Sequence, residues 1–217
     1  MKKVALFTAI AGSFVFLSAF AFVNHGEKPV SAKNTPPALA QAPSKWVLDK
    51  PHSNVRFSVA HLVVSDVDGS FKSFDGSMTS AKPDFSDAVI NFTVVVNSIN
   101  TDNENRDKHL QSDDFFNAAK FPQIKFASKS FQPLGNNKYK LTGDLTIRDI
   151  TKTVSFDVTY GGIITSAAMG GTHAGFKAKT TIDRFDYNLK WNAATETGGV
   201  VVGKEVEITL NIDMKKA

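Results

Sequence analysis

The chain of 217 residues contains no cysteine. Disulfides, thiolate nucleophiles, zinc–cysteine sites, iron–sulfur clusters and the lipidated cysteine of a lipoprotein are therefore excluded. Tyrosine and tryptophan are scarce, with three and two residues, whereas phenylalanine occurs 18 times. Apolar residues make up 42% of the chain and charged residues 21%. This composition excludes a globally disordered chain and is sufficient for a sizeable hydrophobic core.

The motifs of several common enzyme classes are missing as well. There is no G-x-S-x-G, no H-E-x-x-H, no P-loop and no G-x-G-x-x-G. No two histidines have the spacing of metal ligands, and a metal shared by His61 and His109 is kept only as an alternative. Asp113 and Asp114 are adjacent, so their carboxyl groups do not face each other as an acid/base pair would. We therefore expect a protein without catalytic residues, metal or resident cofactor.

The N-terminus has the pattern of a secretory signal peptide. Lys2 and Lys3 are followed by an uncharged apolar run, residues 4–23, which contains an A-x-A cleavage site ending at Ala21. We predict a signal peptide over residues 1–21 and a periplasmic or secreted protein. The alternative is an uncleaved membrane anchor, because about 20 apolar residues can span a bilayer.

A proline-rich segment follows this leader. Residues 22–44 contain four of the eight prolines and no hydrophobic period, which indicates a flexible linker. The folded domain is expected over residues 45–217. Cleavage of the leader removes two lysines and no acid, so the formal net charge falls from +4 to +2. Since no basic run or stripe remains, nucleic-acid binding has little support.

The rest of the chain alternates apolar and polar residues with period two, the pattern of half-buried strands. Eight segments are predicted as strands: 53–63, 69–80, 87–99, 123–132, 138–148, 153–160, 174–182 and 202–213. We predict an all-β fold in which eight antiparallel strands close into a barrel, because closure leaves no exposed edge. A sandwich of two sheets is the alternative. An eight-stranded barrel is just wide enough for one small or slender ligand.

One segment interrupts the strands. Thr101 and Glu104 form a capping-box pattern, with Thr101 as the predicted N-cap of a short helix over about residues 102–111. A second turn is expected from Ser112. This helical insertion is predicted to lie across one end of the barrel.

The polar candidates for ligand binding lie on one strand and on this helix. His61 shares a strand face with Phe57 and Val59, so it is interpreted either as a head-group ligand or as a core histidine with a satisfied hydrogen bond. Arg106, His109 and Leu110 share one helix face at i, i+3 and i+4. They are interpreted either as a barrel mouth that holds a polar or anionic group or as a structural clamp.

The phenylalanines leave a similar choice open. Phe71, Phe126, Phe156 and Phe176 lie on predicted inward positions, where they form either a filled core or the wall of an apolar cavity. Composition by itself favours the filled core. Asp183-Arg184 and Asp186, near the last hairpin, are predicted to form ion pairs at the surface or the barrel rim.

A family resemblance extends over nearly all of residues 45–217. It rests on Trp46…Asp49…His52-Ser53, Val55-Arg56-Phe57-Ser58-Val59-Ala60-His61, Gly69-Ser70-Phe71, Phe74-Asp75-Gly76, the stretch 99–110, Phe115-Phe116, Phe121-Pro122, Gly143-Asp144-Leu145-Thr146-Ile147, Thr151-Lys152, Arg184-Phe185 and Val202-Gly203. In this order and spacing, the motifs resemble the YceI-like family of bacterial exported, lipocalin-like polyisoprenoid-binding proteins.

The resemblance implies a lipocalin-like eight-stranded antiparallel β-barrel around an elongated apolar tunnel. The implied ligand is a long-chain amphiphile: an isoprenoid quinone, a polyprenyl phosphate, or a fatty acid or its amide. It also implies a non-enzymatic carrier or store, and it favours a lipid tunnel over a filled core. The expected ligand-binding residues are Phe57, Val59, His61, Phe71, Arg106, His109, Leu110, Phe126, Phe156 and Phe176.

Two other functions are kept as alternatives. The first is an enzyme acting on a bound lipid, with His61 or His109 as general base. The second is an interaction protein with a filled barrel, whose partner would be a membrane protein such as a cytochrome. Transient membrane contact and a homodimer are further expectations. Transport, storage and protection from stress are all compatible with the sequence.

Overall fold

The structure, a computed structural model, describes residues 42–193 and 200–217, so the predicted signal peptide and nearly all of the predicted linker lie outside it. Its strands are β1 (Ser44–Leu48), β2 (Asn54–His61), β3 (Ser65–Phe71), β4 (Phe74–Ser80), β5 (Val89–Val95), β6 (Ile99–Asn100), β7 (Gln123–Gly135), β8 (Lys138–Ile147), β9 (Ile150–Ser166), β10 (Gly171–Asp183) and β11 (Val202–Lys216). A helix, α1, spans Glu104–Gln111, and short 3-10 turns occupy Lys50–His52, Val96–Ser98 and Arg184–Tyr187. None of the helices in the described ranges has the length and hydrophobicity needed to cross a bilayer.

The strands form one antiparallel sheet that closes on itself. Around the ring the order is β1, β4, β5, β7, β8, β9, β10 and β11, and β11 pairs back with β1. Since β11 also pairs with β2, β1 and β2 act as two halves of one long strand. β3 and β4 are two halves in the same way, because they pair with β2 and β1. When β1 with β2 and β3 with β4 are each counted as one strand, the barrel has eight strands. The predicted barrel is confirmed, and the alternative of a two-sheet sandwich is wrong.

Two predicted strands are broken by a bend. The segment 69–80 divides into β3 and β4, and the segment 87–99 divides into β5, a 3-10 turn and β6. Ser98 holds the bend: its Oγ accepts from the backbone N–H of Ser73 at 3.0 Å and donates to the carbonyl of Val95 at 2.6 Å. The sequence does carry a sign of this break, because the buried Phe71 and Phe74 are an odd number of residues apart.

The helix is present, but its predicted start is wrong. Asn103 is the N-cap, and its Oδ1 accepts from the backbone N–H of Arg106 at 3.0 Å. Thr101 instead donates its hydroxyl to Asp107 Oδ1 at 2.6 Å. The cause is Asp102, whose φ of 58° separates Thr101 from the first helical turn. The expected turn after Ser112 is confirmed, because the backbone N–H of Phe115 donates to the Ser112 carbonyl.

The two ends of the barrel are closed by different elements. At the end where β2 finishes and β11 begins, the chain leaves β5, forms α1 and returns as β7; we call this the α1 end. At the opposite end an aromatic plug is formed by Trp46, Phe85, Tyr139 and Tyr160. Phe85, in the loop between β4 and β5, lies edge-on to Trp46 at 5.4 Å and to Tyr160 at 5.7 Å between ring centroids. The Tyr139 hydroxyl donates to the carbonyl of Asp84 at 2.9 Å, which fixes this loop to the barrel.

A buried hydroxyl near the α1 end gives a stability prediction. Tyr187 is 1% exposed, and its hydroxyl has no hydrogen-bond partner among the described residues. Burial raises the pKa of Tyr187 to about 12. Because an unpaired buried hydroxyl costs about 1–3 kcal/mol, Tyr187→Phe is expected to raise the melting temperature by about 2–6 °C. Differential scanning calorimetry measures this change; a lower melting temperature would show that the hydroxyl has a stabilising partner.

Candidate functional site

An apolar cavity of about 220 Å³ lies inside the barrel, and its wall consists almost entirely of carbon. It extends from Leu110 and Phe115 at the α1 end to Phe131 and Met214 towards the aromatic plug. Carboxylate and imidazole groups are missing among its described lining residues. The barrel is therefore not filled by its own side chains, and its interior suits an apolar guest.

The alternation of the sequence explains why the wall is apolar. On β11, Val206, Ile208, Leu210, Ile212 and Met214 all line the cavity. The residues between them are polar or charged and face away from the cavity, since successive side chains of a strand point to opposite faces. One strand thus contributes a continuous apolar strip along the barrel axis.

Glycine makes room for a phenylalanine in the wall. Phe126 on β7 packs edge-on against Phe156 on β9, with ring centroids 5.5 Å apart. Gly143 faces inward between them, and a Cβ there would lie 2.4 Å from the Phe126 ring and 2.5 Å from the carbonyl oxygen of Ala127. A side chain at this position would therefore displace Phe126.

The α1 end of the cavity is closed by the helical insertion. Leu110 from α1 and Phe115 and Phe116 from the following turn line the cavity. Phe116 packs edge-on against Phe71 of β3, with ring centroids 6.1 Å apart. The insertion therefore covers this end with apolar side chains, as the sequence predicts.

Arg184 is the residue of this site that sequence reasoning interpreted wrongly. It is not a rim residue in an ion pair but a buried one, 3% exposed, whose side chain lines the cavity. Its guanidinium donates to four backbone carbonyls, those of Leu189, Trp191, Val202 and Gly203. Burial lowers the pKa of Arg184 below its usual value, although Asp183 opposes the shift. Arg184 follows Ala178 and Ile182 at the spacing that places side chains on the inward face of β10. Its burial could have been predicted from this position in the sequence.

The neighbouring acids do form surface pairs. Asp186 lies 3.7 Å from Lys152, and Asp183 lies 3.7 Å from Lys204. The predicted ion pairs at the barrel rim are therefore present for these two carboxylates.

The apolar candidates from the sequence meet in one place. The structure places seven of them in the cavity wall: Phe57, Val59, Phe71, Leu110, Phe126, Phe156 and Phe176. They come from β2, β3, α1, β7, β9 and β10, which are distant in sequence and adjacent around the barrel.

The polar candidates do not lie in the cavity wall. Arg106 is a clamp: its Nε donates to Thr101 Oγ1 at 2.8 Å and its terminal nitrogen donates to the Thr101 carbonyl at 2.7 Å. His109 Nε2 lies 2.9 Å from Asp114 Oδ2, and its ring packs against Trp191. His61 is the last residue of β2, beside the β2–β3 hairpin turn. The head-group site expected from these residues is therefore not formed by the cavity wall, since each side chain is held or placed elsewhere.

Comparisons with known proteins agree with this architecture. A family model described as the YceI-like domain matches residues 46–214. The UPF0312 protein of Staphylococcus aureus strain MSSA476 is 40% identical over 164 residues, which is 76% of this chain and 93% of that protein.

Two solved structures are similar in fold. BcnA of Burkholderia cenocepacia superposes with a TM-score of 0.66 at 25% identity, covering 76% of this chain and 98% of that one. A polyisoprenoid-binding domain from Saccharophagus degradans, described as implicated in plant cell wall breakdown, superposes with a TM-score of 0.57 at 14% identity, covering 79% and 98%. The family match over most of the closed barrel, with its apolar cavity, shows that the chain belongs to the YceI-like family.

Proposed function

We propose that the protein binds a long-chain isoprenoid lipid in the barrel cavity and serves as its carrier or store. The observation that carries the proposal is the wall of the cavity, which is almost wholly apolar along its length. The similarity to a polyisoprenoid-binding domain supports the choice of ligand class. The cavity wall contains no carboxylate or imidazole among its described residues, which favours binding over catalysis.

Burial of the lipid tail supplies the binding energy. At about 25 cal/mol per Å², or about 0.8 kcal/mol per buried CH₂, each five-carbon isoprene unit contributes about 4 kcal/mol before ordering costs. A few buried units therefore reach micromolar affinity without strong polar contacts, even after the cost of association. We expect the bound tail to lie with its apolar tip towards Phe176, near the aromatic plug, and with its head near α1.

The chemistry of the wall makes a prediction about specificity. Lipids with the same prenyl tail but a quinone, a hydroxyl or a phosphate head are expected to bind with affinities that agree within about tenfold, because the Arg184 guanidinium in the wall is already bonded to four backbone carbonyls. Shortening the tail by two isoprene units is expected to weaken binding by at least about 100-fold. Titration with such a matched series, followed by intrinsic tryptophan fluorescence or calorimetry, measures both effects. Absence of binding by every member of the series would refute the proposed function.

We further propose that the protein is exported and contacts a membrane when it exchanges its lipid. The signal-peptide pattern supports export. The β2–β3 hairpin at the α1 end supports membrane contact, since Val63 and Val64 at its tip are 82% and 85% exposed. Val63 also has a φ of 64°, a conformation that a β-branched residue rarely adopts. Two exposed valines held at this end are suited to insertion among lipid acyl chains.

The hairpin gives a second prediction. Replacement of both Val63 and Val64 by Ser is expected to weaken partitioning onto phospholipid vesicles by at least about tenfold and to leave the affinity for soluble short-chain isoprenoids unchanged. A matched control replaces Val89 and Leu134, which are 54% and 58% exposed near the plug end, by Ser. Vesicle co-sedimentation measures partitioning. Equal losses in both double variants would contradict a specific role of the hairpin. The homodimer stays a prediction, which light scattering tests.

A further inference from the structure

Two imidazoles and two carboxylates lie close together on the outside of the barrel, at the junction between the end of β1 and the start of β2. Asp49 follows β1, His52 lies in the adjoining turn, His173 is on β10 and Asp213 is on β11. His52 Nδ1 lies 2.9 Å from Asp49 Oδ2, and His173 Nδ1 lies 2.8 Å from Asp213 Oδ1 and 3.7 Å from Asp49 Oδ2. The ligand atoms of Asp49, His52 and Asp213 all lie within 4.8 Å of one another. The cavity is not involved, because this cluster uses outward positions.

His173 packs against this cluster and holds one of its carboxylates. Its ring is 4% exposed, its Nδ1 lies 2.8 Å from Asp213 Oδ1, and its Nε2 lies 3.0 Å from the carbonyl oxygen of Met169. Both ring nitrogens therefore have partners within the protein, and His173 is not one of the three residues whose ligand atoms lie within 4.8 Å of one another. Carboxylates that bind a metal are usually held by an outer hydrogen bond of this kind.

The arrangement also has the spacing of a metal site. Bonds of about 2.0–2.2 Å to zinc place neighbouring ligand atoms about 2.8–3.6 Å apart. His52 Nδ1 and Asp49 Oδ2 are 2.9 Å apart, and the ligand atoms of all three residues lie within 4.8 Å of one another. The sequence predicted no metal site, because Asp213 lies far along the chain from Asp49 and His52.

We propose that Asp49, His52 and Asp213 bind a first-row divalent transition-metal ion such as Zn²⁺. An imidazole beside two carboxylates suits zinc, whereas calcium and magnesium prefer oxygen ligands throughout. The ion ties the β1–β2 junction to β11, next to the hydrogen bond from the Asp49 N–H to the Asp213 carbonyl. In a barrel without cysteine, it serves as a staple at the point where one long strand is interrupted.

The test uses the purified protein after treatment with a chelator. Co²⁺ is added as a spectroscopic probe and Zn²⁺ as the ion for calorimetry and thermal unfolding. We expect the visible absorption bands of one bound Co²⁺ per chain and a rise in melting temperature of about 5–10 °C at 100-fold excess of Zn²⁺ over its dissociation constant.

Two variants decide whether the cluster is the site. His52→Ala removes an exposed ligand without disturbing the core and is expected to weaken Zn²⁺ binding by at least about tenfold. His109→Ala is the matched control, because His109 also contacts a carboxylate at 2.9 Å but belongs to no such cluster within the part of the chain that the structure describes; the Zn²⁺ affinity of this variant is expected to equal that of the unchanged protein. The proposal is overturned if Co²⁺ gives no bands and Zn²⁺ no thermal shift, or if His52→Ala binds Zn²⁺ as tightly as the control.

Discussion

Replacement of Ala178 by Trp is expected to abolish lipid binding, with an affinity at least about 100-fold lower, while the barrel stays folded. Ala178 lies on β10 with its side chain in the cavity wall, close to Phe176. An indole at this position projects across the cavity and takes the space that the lipid tail would occupy. Because the added surface is apolar and replaces an empty volume, the cost to folding is small.

The control for this change lies next to it in sequence. Lys177 is the outward neighbour of Ala178 on the same strand, so Lys177→Trp adds the same side chain to the polar face. Its lipid affinity is expected to stay within about twofold of the unchanged protein. Fluorescence titration with a prenyl quinone compares the two variants, and circular dichroism checks that both are folded. Full binding by a folded Ala178→Trp variant would place the lipid outside the cavity.

Replacement of Arg184 by Met is expected to lower the free energy of unfolding by about 3–5 kcal/mol, which corresponds to a fall in melting temperature of about 10 °C. The guanidinium is the shared donor of four buried or half-buried carbonyls, from Leu189, Trp191, Val202 and Gly203. Methionine fills a similar volume but leaves all four carbonyls without this donor. The segments before and after residues 194–199 thereby lose their common attachment to the end of β10.

Two further variants test this explanation. Arg184→Lys is expected to recover only part of the stability, because one ammonium group cannot reproduce the planar fork of donors. Arg106→Met is the control, since among the described residues the Arg106 side chain bonds only to Thr101; its cost is expected to be about 1 kcal/mol. Urea unfolding followed by circular dichroism gives the free energies. An Arg184→Met variant as stable as Arg106→Met would show that the carbonyls are satisfied without the guanidinium.

Strand periodicity made most of the barrel predictable. β8 and residues 206–214 of β11 alternate between inward apolar and outward polar residues, so their identity and their inward faces follow from the sequence. The breaks were not predicted, because the bend at Ser98 depends on hydrogen bonds between segments that are 25 residues apart. The start of α1 was predicted wrongly, and the reason is related. Thr101 fits a capping box in the sequence, but the positive φ of Asp102 separates it from the first helical turn, and the Thr101 hydroxyl donates to Asp107 instead.

The apolar half of the site was predictable and the polar half was not. An inward phenylalanine such as Phe126 or Phe156 reaches the cavity because its strand face decides its direction. The direction of the Arg106 side chain depends on which hydrogen-bond acceptor lies within reach. Thr101 provides this acceptor, so the guanidinium bonds there and does not line the cavity. Arg184 was misassigned because its charge suggested the surface, whereas the inward register of β10 and the surrounding carbonyls keep it buried.

The most direct test of the proposed function is organic extraction of the purified protein followed by mass spectrometry, with the Ala178→Trp variant prepared in parallel. We expect about one prenyl lipid per chain in the unchanged protein and none above background in the variant. An unchanged protein that carries no lipid, and that also fails to take up added prenyl quinone and polyprenyl phosphate, would contradict the proposed function.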